Sequence, residues 1–94
     1  MIYVKIHERD RDRILAACDE ELLGKNLDEF IVSKRFYGGA LVDEKEFEEL
    51  LDSCTIINLI GQKVINAAKR KGVIRENGVI LISGVPHAQI VRML

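Results

Sequence analysis

His87 and Gln89 stand two residues apart in Gly84-Val85-Pro86-His87-Ala88-Gln89, the stretch that also holds the chain's one proline. In an extended segment that spacing puts both side chains on one face. Imidazole titrates near neutrality, so the pair suits general acid/base work, or a grip on a base edge or a phosphate. No nucleophile or second acid is paired with His87 locally, and the plainer alternative is a histidine that ties the Pro86 turn together. A second set is spaced at four. Asn58, Gln62 and Asn66 line one side of a helix, with Lys63, Lys69 and Arg70 nearby and no acid between positions 53 and 75. Amides and cations in that company suit a phosphate backbone; the alternative is an ordinary solvated helix face. The third set is Phe36-Tyr37-Gly38-Gly39. Paired glycines let backbone come close to a ligand, and a neighbouring ring can stack on a base; a turn with core aromatics explains them equally. They are not a phosphate-binding loop, because the glycine spacing and the Lys-Ser/Thr that follow it are missing.

Two further chemistries have less to build on. His7, Cys18, Cys54 and His87 show no recognised ligand spacing, so no metal and no cofactor are expected. Asp19-Glu20-Glu21 are adjacent acids, and a small enzyme would pair His87 with Asp19 or Glu20.

The elements that must position these residues follow from size and pattern. Residues 1–94 are expected to form one domain, with a core of Ile, Leu and Val, few aromatics and no Trp. No apolar run approaches the about 20 residues a membrane helix needs, and the chain opens on strand-like Ile2-Tyr3-Val4-Lys5-Ile6, so neither a leader nor a membrane partner is expected. Two cysteines without a close motif read as small buried hydrophobes in a reducing cytoplasm. The net charge of −1 conceals a division: residues 1–53 hold 14 acids and 8 bases, residues 54–94 hold 1 acid and 6 bases. If the division survives folding, one face attracts anions and the other cations.

Residues 2–6 and 14–18 read as antiparallel strands joined by a charged turn over His7–Arg13. Gly24 and Asn26 mark a turn, Phe30-Ile31-Val32 a third strand, Gly38-Gly39 a bend and Ala40-Leu41-Val42 a short strand. Asp43 with Glu46 caps a helix whose apolar face is Phe47, Leu50, Leu51 and Cys54. A second helix is expected over about Thr55–Lys71, capped by Ser53 or Thr55, with Ile57, Ile60, Gly61, Val64 and Ala68 as its buried stripe and Gly72 as its stop. The alternative is one helix continuous with the first. Asn77-Gly78 is a turn, Val79–Ser83 a strand, Gly84-Val85-Pro86 a bend and Ala88–Met93 a final strand.

Taken together, Cys18-Asp19-Glu20-Glu21-Leu22-Leu23-Gly24-Lys25, Phe36-Tyr37-Gly38-Gly39, Asn58 with Gly61, and Gly84-Val85-Pro86-His87-Ala88-Gln89-Ile90-Val91 resemble an archaeal family catalogued as domain of unknown function 424. The resemblance implies an archaeal cytosolic setting and an association with RNA or translation, and it brings no activity or cofactor. It directs attention to Tyr37, Gly38, Gly39, Asn58, Gly61, Pro86, His87 and Gln89. The expected architecture is α+β: a mainly antiparallel sheet from both ends of the chain, with one or two helices packed on one face and the last strands returning to the early ones. The leading function is a non-enzymatic module for structured RNA or a ribonucleoprotein, using Tyr37, Gly38, Gly39, Asn58, Gln62, Lys63, Lys69, Arg70, His87 and Gln89. A protein–protein adaptor with its contact around the final strand is the alternative, and a small enzyme using His87 the third reading.

Overall fold

A computed structural model describes residues 1–28 and 30–93. Strands β1 (Ile2–Arg9) and β2 (Asp12–Asp19) form a hairpin around Asp10-Arg11, with Arg9 opposite Asp12. Asp10 has φ 56°, a conformation Asp tolerates better than most non-glycine residues. The charged run expected to be a turn is therefore mostly strand. Its side chains from Glu8 to Asp12 are exposed, so nothing forbids the ladder from running to the hairpin tip.

A 3-10 turn (Glu20–Leu22) leads to β3 (Asn26–Leu27) and β4 (Phe30–Ile31), which form their own two-stranded sheet. One helical turn, α1 (Lys34–Tyr37), β5 (Ala40–Val42) and helix α2 (Glu44–Leu51) follow. The Asp43 carboxylate accepts the Glu46 N–H at 2.8 Å and caps α2 as its sequence indicates.

The expected helix over Thr55–Lys71 is not one element. Ile56–Ile60 is strand β6, and helix α3 covers only Gln62–Lys71. A short apolar run fits either period, and β-branched Thr55, Ile56, Ile57 and Ile60 favour a central strand. Ile57 and Ile60 are both fully buried, but on opposite faces of the sheet rather than along one helical stripe. Neither Ser53 nor Thr55 caps α3. Gly72, with φ 80°, ends it as expected.

After a 3-10 turn (Glu76–Gly78) come β7 (Ile80–Ile82) and β8 (Val85–Val91). They turn at Ser83-Gly84, with φ 49° and 79°, the left-handed pair a two-residue hairpin turn requires. Pro86 therefore lies within a strand, one register step beyond the bend expected of it. Its position also shapes the neighbouring strand. The Gly61 N–H donates to the Pro86 carbonyl at 2.9 Å, but proline has no N–H to return. The Gly61 carbonyl instead accepts the Ile65 N–H at 3.1 Å and starts α3.

The main sheet runs β5-β1-β2-β6-β8-β7, antiparallel throughout except for the parallel pair β2–β6. This is the expected α+β, mostly antiparallel architecture. The last two strands reach the N-terminal hairpin only through β6, not by direct pairing. One sheet face carries Ile2, Val4, Leu15, Ala17, Ile57, Leu59 and Ala88 against Phe47 and Leu51 of α2 and Val64, Ile65 and Ala68 of α3. The other presents Ala16, Cys18 and Ile60 to Val32 and Tyr37, with Leu22, Leu27, Phe30 and Phe36 half-buried around them. The two long helices do share one face, while α1 and the small sheet cover part of the other. No helix among the described residues is long and apolar enough to cross a membrane.

Candidate functional site

Asn58 of β6 lies opposite Gln89 of β8, and Ile60 lies opposite His87. The backbone bonds at Gly61–Pro86 and Arg92–Thr55 fix the phase of this ladder. Counting by twos, Ile56–Val91, Asn58–Gln89 and Ile60–His87 are its non-hydrogen-bonded pairs, in which Cα atoms approach to about 4.5 Å and side chains are closest. Asn58, His87 and Gln89 thus share one sheet face, as the His87–Gln89 spacing requires. Asn58 is half-buried and Gln89 exposed. The His87 ring packs at 5.6 Å and 59° against Phe30. Its Nδ1 is buried with no hydrogen-bond partner among the described residues. Burial lowers the His87 pKa below its ordinary value of 6.5, which favours the neutral imidazole.

Tyr37 belongs to the same face. It is buried beside Ala16, Cys18 and Ile60, and burial pushes its phenol up to about 12. Its ring meets Phe36 edge-on at 4.9 Å, and Phe36 stacks on His7 at 4.9 Å. His7 Nε2 lies 2.9 Å from the Phe36 carbonyl. No ring of Tyr37 is left for a base. A Cβ on Gly38 would collide with the Lys34 carbonyl, and one on Gly39 with the Val4 carbonyl. The close approach these glycines permit is to the protein's own backbone, where α1 closes and β5 joins β1.

Gln62, Lys63, Lys69 and Arg70 lie across the sheet, on α3. Asn58 does not continue their stripe, because it sits on a strand that faces the other way. Gln62 Nε2 donates to Asn66 Oδ1 at 2.8 Å, so that part of the amide spacing does act along a helix. Three of the α3 cations pair within the molecule, Lys69 with Glu76, Arg70 with Glu44 at 2.9 Å and Lys71 with Asp52 at 3.0 Å, while Lys63 is exposed and joins none of the ion pairs among the described residues. The acidic first half and basic second half of the chain meet along α2 and α3, and the charge division seen in sequence closes on itself there.

The sequence reading offered Asp19 as an acid for His87 and missed the role that it has. Asp19, at the end of β2, is 5% exposed, and its carboxylate accepts the N–H groups of Lys63 and Val64, each at 2.9 Å. It caps α3 from 44 and 45 positions away in sequence. Burial raises its pKa, and the two N–H bonds oppose that rise. The signal was Gly61, an interruption between an apolar run and a polar amphipathic one. With its carboxylate occupying the helix N-terminus, Asp19 closes the spot where an anion would bind. It also lies on the helical face of the sheet, opposite Ile2, and so cannot serve His87 on the other. Glu20, the alternative acid, is half exposed and stands 3.6 Å from the N-terminal amine.

Cys18 and Cys54 are unpaired and buried in separate clusters on the two faces. Burial, then the neighbouring Asp19, pushes the Cys18 thiol up to about 12, which makes it a poor nucleophile. No group of three or more His, Cys, Asp or Glu side chains is arranged for a metal ion among the described residues.

Residues 6–93 match the profile of a family described as a protein of unknown function (DUF424). No curated protein matches the chain. It is similar to an uncharacterized conserved protein from Methanopyrus kandleri, whose crystal structure aligns with a TM-score of 0.81 at 27% identity, over 99% of this chain and 94% of that one. The chain belongs to the DUF424 family.

Proposed function

For this member of a family without an assigned activity, we propose a non-enzymatic role: an adaptor that binds another protein through the surface around its last two strands. The observation that carries the reading is where apolar surface is left uncovered. Of the seven exposed large hydrophobic residues among those described, four, Ile80, Leu81, Val91 and Met93, at 59, 70, 71 and 98% exposed, lie between positions 80 and 93, while Met1, Ile31 and Leu41 are scattered elsewhere. Exposed large apolar groups gathered in one region mark contact surfaces. The edge strand β7, Ile80-Leu81-Ile82, carries none of the charges or prolines that guard unpaired edges.

The RNA or ribonucleoprotein reading has less support. Each phosphate contact needs its own cation, and the acids Glu76 and Glu44 beside Lys69 and Arg70 lower the positive potential that a phosphate would meet there. Asn58 and Gln89 on one face and Gln62 and Lys63 on α3 remain as its contacts, divided between two faces. Among the described residues, His87 joins no ion pair and its buried Nδ1 has no hydrogen-bond partner, so an enzyme built on it has less support. The two unpaired thiols support a reducing cytoplasmic setting.

Fluorescence anisotropy with transfer RNA and ribosomal RNA fragments, at low and physiological salt, separates the two binding readings. The adaptor reading expects no saturable binding at physiological salt. It also expects a dominant partner, crosslinked to the native protein in cells, to be lost in Leu81→Lys with Val91→Lys. Saturable RNA binding weakened by Lys63→Ala, Lys69→Ala and Arg70→Ala overturns it.

A further inference from the structure

β7 covers only part of β8. Their pairing ends at Ile80–His87, and the chain before β7 stands away from β8. A shallow groove of about 410 Å³ remains, walled by Val73, Arg75 and Gly78 on one side and by Gln89 and Val91 on the other. The ladder phase says what β8 offers there. Pro86 and Arg92 bond toward β6, so by the alternation of an antiparallel ladder the N–H and C=O groups of Gln89 and Val91 point away from β6, into the groove. Neither residue's backbone takes part in any of the turn, loop or side-chain hydrogen bonds among the described residues.

We propose that this groove takes an extended acidic segment of a partner protein, added as a strand beside Gln89–Val91. The proposal rests on the adaptor reading and names the partner's chemistry. Two outward N–H groups and two carbonyls supply main-chain bonds of the kind that strand addition uses. Arg75, exposed at the wall, is the charged residue lining the groove, and it joins none of the ion pairs among the described residues. A guanidinium at the rim selects a carboxylate on the incoming strand. A second copy of this chain, pairing through the same β7–β8 edge, brings no such group: positions 77–93 contain neither Asp nor Glu.

The test is an NMR titration of the ¹⁵N-labelled protein with the peptide Ac-Val-Glu-Val-Glu-Val-NH₂, its Lys-for-Glu counterpart, and forms N-methylated on alternate residues. The expected result is saturable protection of the Gln89 and Val91 amide protons by the Glu peptide. One methylation frame should abolish it, and the Lys peptide should bind at least roughly tenfold more weakly, one charged contact's worth. Arg75→Glu should reverse the preference between the two peptides while leaving the amide spectrum of the sheet unchanged. Absence of protection at these two amides overturns the proposal, as does binding indifferent to both methylation frames. Protection that grows with protein concentration alone assigns the edge to a second copy and also overturns it. The adaptor reading itself survives all three if the crosslinked partner still depends on Leu81 and Val91.

Discussion

Asp19 and Gly61 stand against each other across the end of the parallel β2–β6 pair, and the carboxylate of one fills the space in which the other would carry a Cβ. Gly61 also has φ 122°, where side chains are strained. The two residues form one device: an acid that reaches the α3 N–H groups only because the position beside it is bare.

Gly61→Ala should destabilise the fold by roughly 2–4 kcal/mol, from backbone strain and overpacking together. Asp19→Ala should cost roughly 1–3 kcal/mol, because it leaves two helix N–H groups without their acceptor. Urea denaturation of the double variant should show less than the sum, since removing the carboxylate makes room for the methyl. Strict additivity would mean that the two residues act separately.

Neutral His87 ties stability to pH. Burial lowers its folded pKa below 6.5, so between those two values the unfolded chain holds more protons and stability rises with pH. The contribution is fully present above 6.5 and is lost as pH falls through 6.5 toward the folded value. His87→Gln should therefore flatten the dependence of the urea midpoint between about pH 7 and about pH 5 relative to the parent protein. An unchanged slope would assign the loss to another group.

Salt bridges between α2 and α3 should matter more for surface charge than for stability. Arg70 and Glu44 are both about half exposed, so Arg70→Ala should change stability by no more than about 0.5 kcal/mol. Arg70→Glu sets a like charge beside Glu44, and its small penalty should shrink in high salt and be relieved by Glu44→Arg. Thermal melts of the four proteins at two salt concentrations test this cycle.

The thiols should be silent in the native state. Cys18 and Cys54 have no exposed surface, and Cys18 resists ionisation. Reaction with a disulfide reagent should proceed no faster than the opening of the core. Rapid modification of one thiol per chain would show that one face of the sheet opens independently.

Legibility in the sequence followed locality. The α2 cap needs only Asp43 and Glu46, three positions apart, and both the helix and its buried Phe47–Leu51 face were readable. Gly72 as a stop and Gly24 as a turn are local in the same sense. What failed was the segment 55–61, where Ile57 and Ile60 satisfy a helical spacing while belonging to opposite sheet faces. That error carried Asn58 onto the wrong element and joined it to Lys63, Lys69 and Arg70. The placement of His87 with Gln89 survived because a period of two is simple once the strand is given. The Asp19 cap and the Arg70–Glu44 pair depend on tertiary contacts, which no pattern along the chain displays.

β6 has a further consequence for how the chain folds. Its partner on one side, β2, lies near the N-terminus, and its partner on the other, β8, near the C-terminus. The two hairpins can form early and locally, but neither has a sheet to join until this middle strand is seated between them. Assembly therefore waits on contacts of high sequence separation, and the two ends of the chain lose their order together. Amides of Ile57 and Leu59, bonded on to β8 and fully enclosed, should exchange with solvent only through global unfolding, while those at the Asp10-Arg11 tip exchange through fraying.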